Sequence, residues 1–278
     1  MGRSPALLML VIVVLLAACG SPPPEADPTA VPAEPAAATL SGELIVFAAA
    51  SLTDAFEAIS NAFEAAYPGT AISFNFAGSQ QLAAQINEGA PADVFASANQ
   101  TQMDIVLAGG RGRDGSAQTF VRNQLVVITP GNNPAGITTL ADLTQPGLHL
   151  ILADSAVPVG RYSLDVLAKA SALPEYSAGY SPTVLANVVS FEDNVRSVLT
   201  KVVLGEADAG IVYRTDAALE GDLIQQIAIP AELNTIASYP IAPIADTANP
   251  ALADAFIAFI LSAQGQEILS RYGFIPLR

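Results

Sequence analysis

Read for hydrophobic spacing alone, the chain repeats one unit twice near its start. Leu44-Ile45-Val46-Phe47-Ala48-Ala49-Ala50 is a continuous apolar run that ends in Ser51, and Leu52, Phe56, Ile59 and Phe63 then recur at helical spacing. Ile72-Ser73-Phe74-Asn75-Phe76-Ala77-Gly78 ends in Ser79 and passes into Leu82 and Ile86 in the same way. Each unit predicts a buried strand, a short turn at a serine and an amphipathic helix. A serine at a helix start either caps the helix with its own oxygen or stands beside free amide N–H groups at the positive end of the helix dipole. The second arrangement seats an anion.

The alternation continues to about Leu150. Val94-Phe95-Ala96 predicts a buried strand, 101–108 a helix, and Leu125-Val126-Val127-Ile128 another strand. Strands alternating with helices predict a parallel sheet covered on both faces. Later, Leu148-His149-Leu150-Ile151-Leu152 predicts a strand that turns through 153–160 into a helix from near Arg161. Val188-Val189 leads through Ser190-Phe191-Glu192-Asp193-Asn194 to a helix with Val195, Val198, Leu199, Val202 and Val203 on one face. Ala209-Gly210-Ile211-Val212-Tyr213 is a short strand ending in a tyrosine. Ala255, Phe256, Phe259 and Ile260 mark a late helix, which with Tyr272-Gly273-Phe274 is expected to return and complete the first half.

The N-terminus has a different pattern. Arg3 precedes an apolar run from Leu7 to Ala18, shorter than the roughly 20 residues a membrane span takes and suited to a secretory signal. Leu16-Ala17-Ala18-Cys19-Gly20 is similar to a bacterial lipobox, which makes 1–18 a lipoprotein signal peptide and Cys19 the lipidated first residue of the mature chain; an ordinary signal peptide is the alternative. The Pro/Ala-rich segment 19–40 carries no hydrophobic periodicity and reads as a tether. Cys19 is the sole cysteine, which excludes intrachain disulfides and thiolate metal sites.

Charge narrows the function. The chain has 26 Asp plus Glu against 11 Lys plus Arg, a net −15 that becomes −16 once Arg3 leaves with the signal. Such a surface repels nucleic acid. It also opposes any anion at long range, so an anion must be held by short-range donors. Catalytic parts are missing: His149 is the single histidine and sits in a predicted strand, and neither Gly-x-Ser-x-Gly nor Ser-x-x-Lys occurs. Gly110-Arg111-Gly112-Arg113-Asp114-Gly115 matches a dinucleotide fingerprint in letters only, because it follows a helix rather than a strand. Ligands of open parallel sheets bind beyond the carboxyl ends of strands, which is where Ser51, Ser79, Tyr213 and the turns before the 161 and 195 helices all fall. Hydroxyls and helix-start amides donate hydrogen bonds without a formal charge, which suits a fully deprotonated oxyanion and disfavours phosphate, which keeps a proton near neutral pH.

Six motifs in order carry a family resemblance. They are Val46-Phe47-Ala48-Ala49-Ala50-Ser51-Leu52, Phe76-Ala77-Gly78-Ser79, Gly89-Ala90-Pro91-Ala92-Asp93-Val94-Phe95, Val157-Pro158-Val159-Gly160-Arg161-Tyr162, Glu192-Asp193-Asn194-Val195-Arg196 and Gly210-Ile211-Val212-Tyr213. Together they resemble the molybdate-binding proteins of molybdate ABC importers, from Glu43 to Arg271-Tyr272-Gly273-Phe274. The resemblance implies an α/β, two-lobed periplasmic-binding-protein fold of type II, each lobe a mostly parallel sheet flanked by helices. Lobe 1 would be 41–122 plus 240–278 and lobe 2 would be 123–239. It implies a lipid-anchored, monomeric, extracytoplasmic receptor without cofactor or bare metal ion, which binds molybdate or tungstate and delivers it to a permease. Ser51, Ser79 and Tyr213 would contact the oxyanion through hydroxyls, Val159 and Val195 through backbone amides. Gly78 stands where some members carry a serine. The rival readings are sulfate on the same fold, a secreted hydrolase using Ser51 or Ser79, and a purely structural lipoprotein.

Overall fold

The computed structural model describes residues 40–277, and Cys19, the signal segment and the tether lie outside the described residues. Two sheets organise the chain. The first unit forms as the spacing predicts: β1 (Gly42–Ala49) is followed by α1 (Thr53–Ala66), and β2 (Thr70–Ala77) by α2 (Ser79–Asn87). Then come β3 (Val94–Ala96), α3 (Gln100–Ala108) and β4 (Gln118–Asn123). The chain passes to a second sheet with β5 (Leu125–Pro130), β6 (Leu150–Ala153), α4 (Pro158–Ser171), α5 (Tyr180–Ala186) and β7 (Val188–Glu192). There it continues through α6 (Val195–Val203), β8 (Ala209–Tyr213), α7 (Arg214–Ala218) and β9 (Ile224–Ala228). It returns with β10 (Ala237–Pro243), α8 (Pro250–Leu261), α9 (Ala263–Arg271) and β11 (Ile275–Pro276).

The first sheet runs β11-β4-β10-β3-β1-β2 and the second β7-β6-β8-β5-β9. β1 pairs in parallel with β2 and β3, and β6 with β7 and β8. The strands at the crossings join antiparallel: β10 to β3 and β4 in the first sheet, β5 to β8 and β9 in the second. A chain that leaves one sheet and re-enters it from another has no helical crossover to impose parallel pairing. Residue 123 and residues 237–239, expected in the second lobe, bond within the first sheet, because Ala237 pairs with Asn123 and Ser238 with Arg122. The two crossings are tied together by Asn234, which accepts from Leu125 N–H at 3.1 Å and donates to Leu125 O at 2.9 Å.

Period-two alternation in β1 feeds both faces of the first sheet. Leu44, Val46 and Ala48 face α1, α8 and α9, where Phe56 packs 5.7 Å from Phe120 and Phe63 meets Phe256 edge-on at 5.3 Å. Phe47 faces the other way onto Leu82, Ile86, Met103 and Val106 of α2 and α3. Each fully buried phenylalanine contributes about 1.5–3 kcal/mol. In the second sheet α6 buries Val195, Val198, Leu199 and Val202 against β5, β6 and β8. Among the described residues no single helix is long and apolar enough to cross a membrane.

Candidate functional site

The parallel strands of both sheets end at one small cavity. Beyond β1 lie Ala50 and Ser51, beyond β2 Gly78 and Ser79, and beyond β3 Ala98. From the other sheet come Val157, Pro158 and Val159 beyond β6, Asn194 and Val195 beyond β7, and Tyr213 at the end of β8. All five residues expected at the site therefore line the same space, and each is at most 4% exposed. Among the described residues no carboxylate, ammonium, guanidinium or imidazole lines it.

Helix starts supply the donors. Ser79 is the first residue of α2, Val195 the first of α6, and Val159 the second of α4 behind Pro158. Ser51 lies in a single 3-10 turn, Ala50–Leu52, that leads into α1. First-turn amides have no acceptor inside their own helix. Helix α4 begins at Pro158, three residues earlier than the sequence spacing suggested, because proline is preorganised for the first helical position and lacks only an N–H the helix does not use. A side chain at Gly160 would collide with the carbonyls of Ala153 and Asp154, so glycine lets this turn sit directly on the end of β6.

Neither serine caps its helix with its side chain. Ser79 Oγ accepts from Ala98 N–H at 3.0 Å. Ser51 Oγ lies 2.9 Å from the Tyr239 hydroxyl, on the returning strand β10. Both are therefore held by tertiary partners. The Tyr213 hydroxyl is buried with no hydrogen-bond partner, and burial, then the nearby Tyr239 hydroxyl, pushes its pKa well above the usual phenol value. It remains a neutral hydroxyl over the physiological range, at the wall of the cavity and beside the Tyr239 hydroxyl.

Four contacts cross the cleft around this cavity. Gln80 Nε2 donates to Asp193 O at 2.7 Å, and Gln81 Nε2 to Asp193 Oδ2 at 3.0 Å. Gln102 Nε2 reaches Ala156 O at 3.4 Å. Arg196, beside Val195, donates from Nη2 to Asp54 Oδ2 at 2.5 Å and from Nε to Asp216 Oδ1 at 2.6 Å. Asp216 is fully buried, and burial, partly offset by Arg196, raises its pKa to about 6.

Sequence spacing did not single out Tyr239, Asn123, Asp54 or Asp216 for the site. Tyr239 sits in an apolar strand and reads as core; its polar tip in a strand otherwise made of small and apolar residues was the available signal. His149 is exposed just before β6 rather than inside it, at the end of the sheet away from the cavity, and its N–H donates to Asp208 Oδ2 at 2.8 Å. It takes no part in the site.

Residues 44–275 match the family described as bacterial extracellular solute-binding protein. The chain belongs to this family. Its members bind solutes and are not enzymes. Among relatives, the chain is 38% identical over 247 residues to the molybdate-binding protein ModA of Mycobacterium tuberculosis, covering 89% of each chain. Among solved structures, the periplasmic molybdate-binding protein of Azotobacter vinelandii superposes with a TM-score of 0.73 at 21% identity, over 84% of this chain and all of that one. The sulfate-binding protein SubI of Mycobacterium tuberculosis does so with a TM-score of 0.77 at 19% identity, over 84% and 87%. These two likenesses show the fold alone. A protein named for molybdate binding and one named for sulfate binding thus share this fold, and the ligand must be argued from the cavity.

Proposed function

We propose that the protein captures molybdate, or the near-identical tungstate, outside the cytoplasm and hands it to the permease of an ABC importer. The observation that carries this reading is the charge-free, donor-lined cavity between the two sheets. Ser51, Ser79 and Tyr213 offer hydroxyls and Val159 and Val195 offer amides. Three helix starts, each equivalent to roughly half a positive charge, and the turn at Ser51 together offset much of the charge of a dianion. A fully deprotonated oxyanion finds a donor for each oxygen. Hydrogen phosphate brings a proton for which the lining offers no carboxylate.

In this reading the two lobes meet at the crossings near Asn123–Leu125 and 229–236, and the contacts of Asp193, Ala156 and Arg196 hold the closed form. The mature chain is a monomer tethered to the membrane through lipidated Cys19, with 19–40 as the spacer. Equilibrium dialysis of the mature protein against molybdate, followed by elemental analysis, is expected to give one molybdenum per chain. Sulfate retained in its place, with molybdate excluded, would support the sulfate-binding alternative on the same fold.

A further inference from the structure

Tyr239 does not line the cavity and is fully buried, yet its hydroxyl is the partner of Ser51 Oγ at 2.9 Å. The direction of that bond can be read from its neighbours. Asn123 Oδ1 accepts from Gln124 N–H at 2.9 Å, which fixes the amide so that Nδ2 faces the other way. Asn123 Nδ2 donates to Thr215 Oγ1 at 2.8 Å and, at 3.5 Å, to the oxygen of Tyr239. Either hydroxyl of the Ser51–Tyr239 pair can donate, and with the phenol oxygen already accepting from Asn123 its own proton is the one placed to go to Ser51 Oγ. Ser51, having accepted, has its own proton left to give, and the cavity is the space it faces. Burial raises the Tyr239 pKa, so the phenol stays a donor. Ser79 is fixed in the same sense by the Ala98 amide.

We propose that Tyr239, supported by Asn123, is a positioning residue that locks Ser51 as a hydrogen-bond donor and thereby sets the preference for oxyanions carrying no proton. A serine hydroxyl left to itself both donates and accepts, and would accommodate hydrogen phosphate. The lock lies on the crossing strands, with Asn123 ending β4, Tyr239 in β10 and Thr215 in α7 of the second lobe. The donor state of Ser51 is thus set by the region joining the lobes.

This inference rests on the molybdate reading, and its test separates the two. Tyr239→Phe keeps the ring packed edge-on at 5.7 Å against both Phe274 and Tyr213 and deletes only the hydroxyl. Calorimetric titration of wild type, Tyr239→Phe, Ser51→Ala and the double variant, each with molybdate and with phosphate, reads the effect. Tyr239→Phe is expected to weaken molybdate about three- to tenfold while phosphate binding holds or tightens, so the ratio between them shrinks. In the Ser51→Ala background the same change is expected to alter molybdate affinity less than twofold, because the residue it acts through is gone. An unchanged molybdate-to-phosphate ratio in Tyr239→Phe, or an equal loss in the Ser51→Ala background, overturns the lock and leaves the molybdate reading standing. A wild-type protein that takes up no molybdate sinks the molybdate reading, and the lock with it.

Discussion

Arg196 reaches across the cleft to Asp54, its Nη2 2.5 Å from Oδ2, while its Nε holds Asp216 on its own side. Under the proposed function this ion pair belongs to the closed form and would break when the lobes separate. Both side chains are partly exposed, so solvent screening limits the pair to about 0.5–1 kcal/mol. Asp54→Asn is expected to weaken molybdate binding by about two- to fivefold, with more of the loss at low salt than at high salt. Titration at two ionic strengths checks this, and an affinity independent of both would remove the pair from the closing mechanism.

Gly78 faces the Asp193 carbonyl so closely that an added Cβ would collide with it. Its φ of −59° suits any residue, so the collision arises between lobes and not within the local backbone. Gly78→Ala is therefore expected to fold normally and to bind molybdate at least tenfold more weakly. Circular dichroism melting without ligand and calorimetry with it separate the two effects.

Ser51→Ala with Ser79→Ala removes two of the three hydroxyls facing the cavity. Hydrogen bonds to a charged partner contribute about 1.5–3 kcal/mol each, so the double variant is expected to lose at least a hundredfold in affinity. Neither side chain caps its helix, but their loss orphans the Ala98 amide and the Tyr239 hydroxyl, so the ligand-free variant is expected to fold with a lowered melting temperature. Full affinity in the double variant would move the ligand elsewhere.

Asp216 titrates in the direction opposite to an ordinary paired carboxylate. Its pKa in the fold is raised from 3.8 to about 6, chiefly by burial, so between those values the folded state holds a proton the unfolded chain has released. Stability contributed by this group is present below about pH 4 and is lost as pH rises to 6, by at most about 3 kcal/mol. Urea unfolding across that window should show the decline in wild type and not in Asp216→Asn. Asp142 acts with the other sign: backbone donors at Thr138 and Thr139 lower its pKa to about 2, so its contribution is lost only as pH falls below 4.

What the sequence made legible was local. The strand–serine–helix units were readable at Ser51 and Ser79 because period two changes to helical spacing within a few residues. Val159 and Val195 were legible as turns between strand ends and helix starts, and the resemblance implied contact through their amides, which leave no side-chain signature. The start of α4 was misplaced by three residues because Pro158 was read as part of a turn, although proline is common at the first helical position. Antiparallel pairing of β5 and β10 and the partners Ser51–Tyr239 and Asp54–Arg196 join segments more than a hundred residues apart or depend on the crossings. No local pattern encodes those. Neither serine caps its helix, because Tyr239 and the Ala98 amide engage the serine oxygens that would otherwise do so.

The central claim is that the cavity takes a proton-free tetrahedral oxyanion of molybdate size. Thermal unfolding of the mature protein with molybdate, tungstate, sulfate and phosphate in turn tests it most directly. A ligand at a hundred times its dissociation constant adds about 2.7 kcal/mol. Molybdate and tungstate are predicted to raise the melting temperature together, and phosphate to leave it unmoved. A rise with sulfate or phosphate while molybdate and tungstate have no effect would contradict the account.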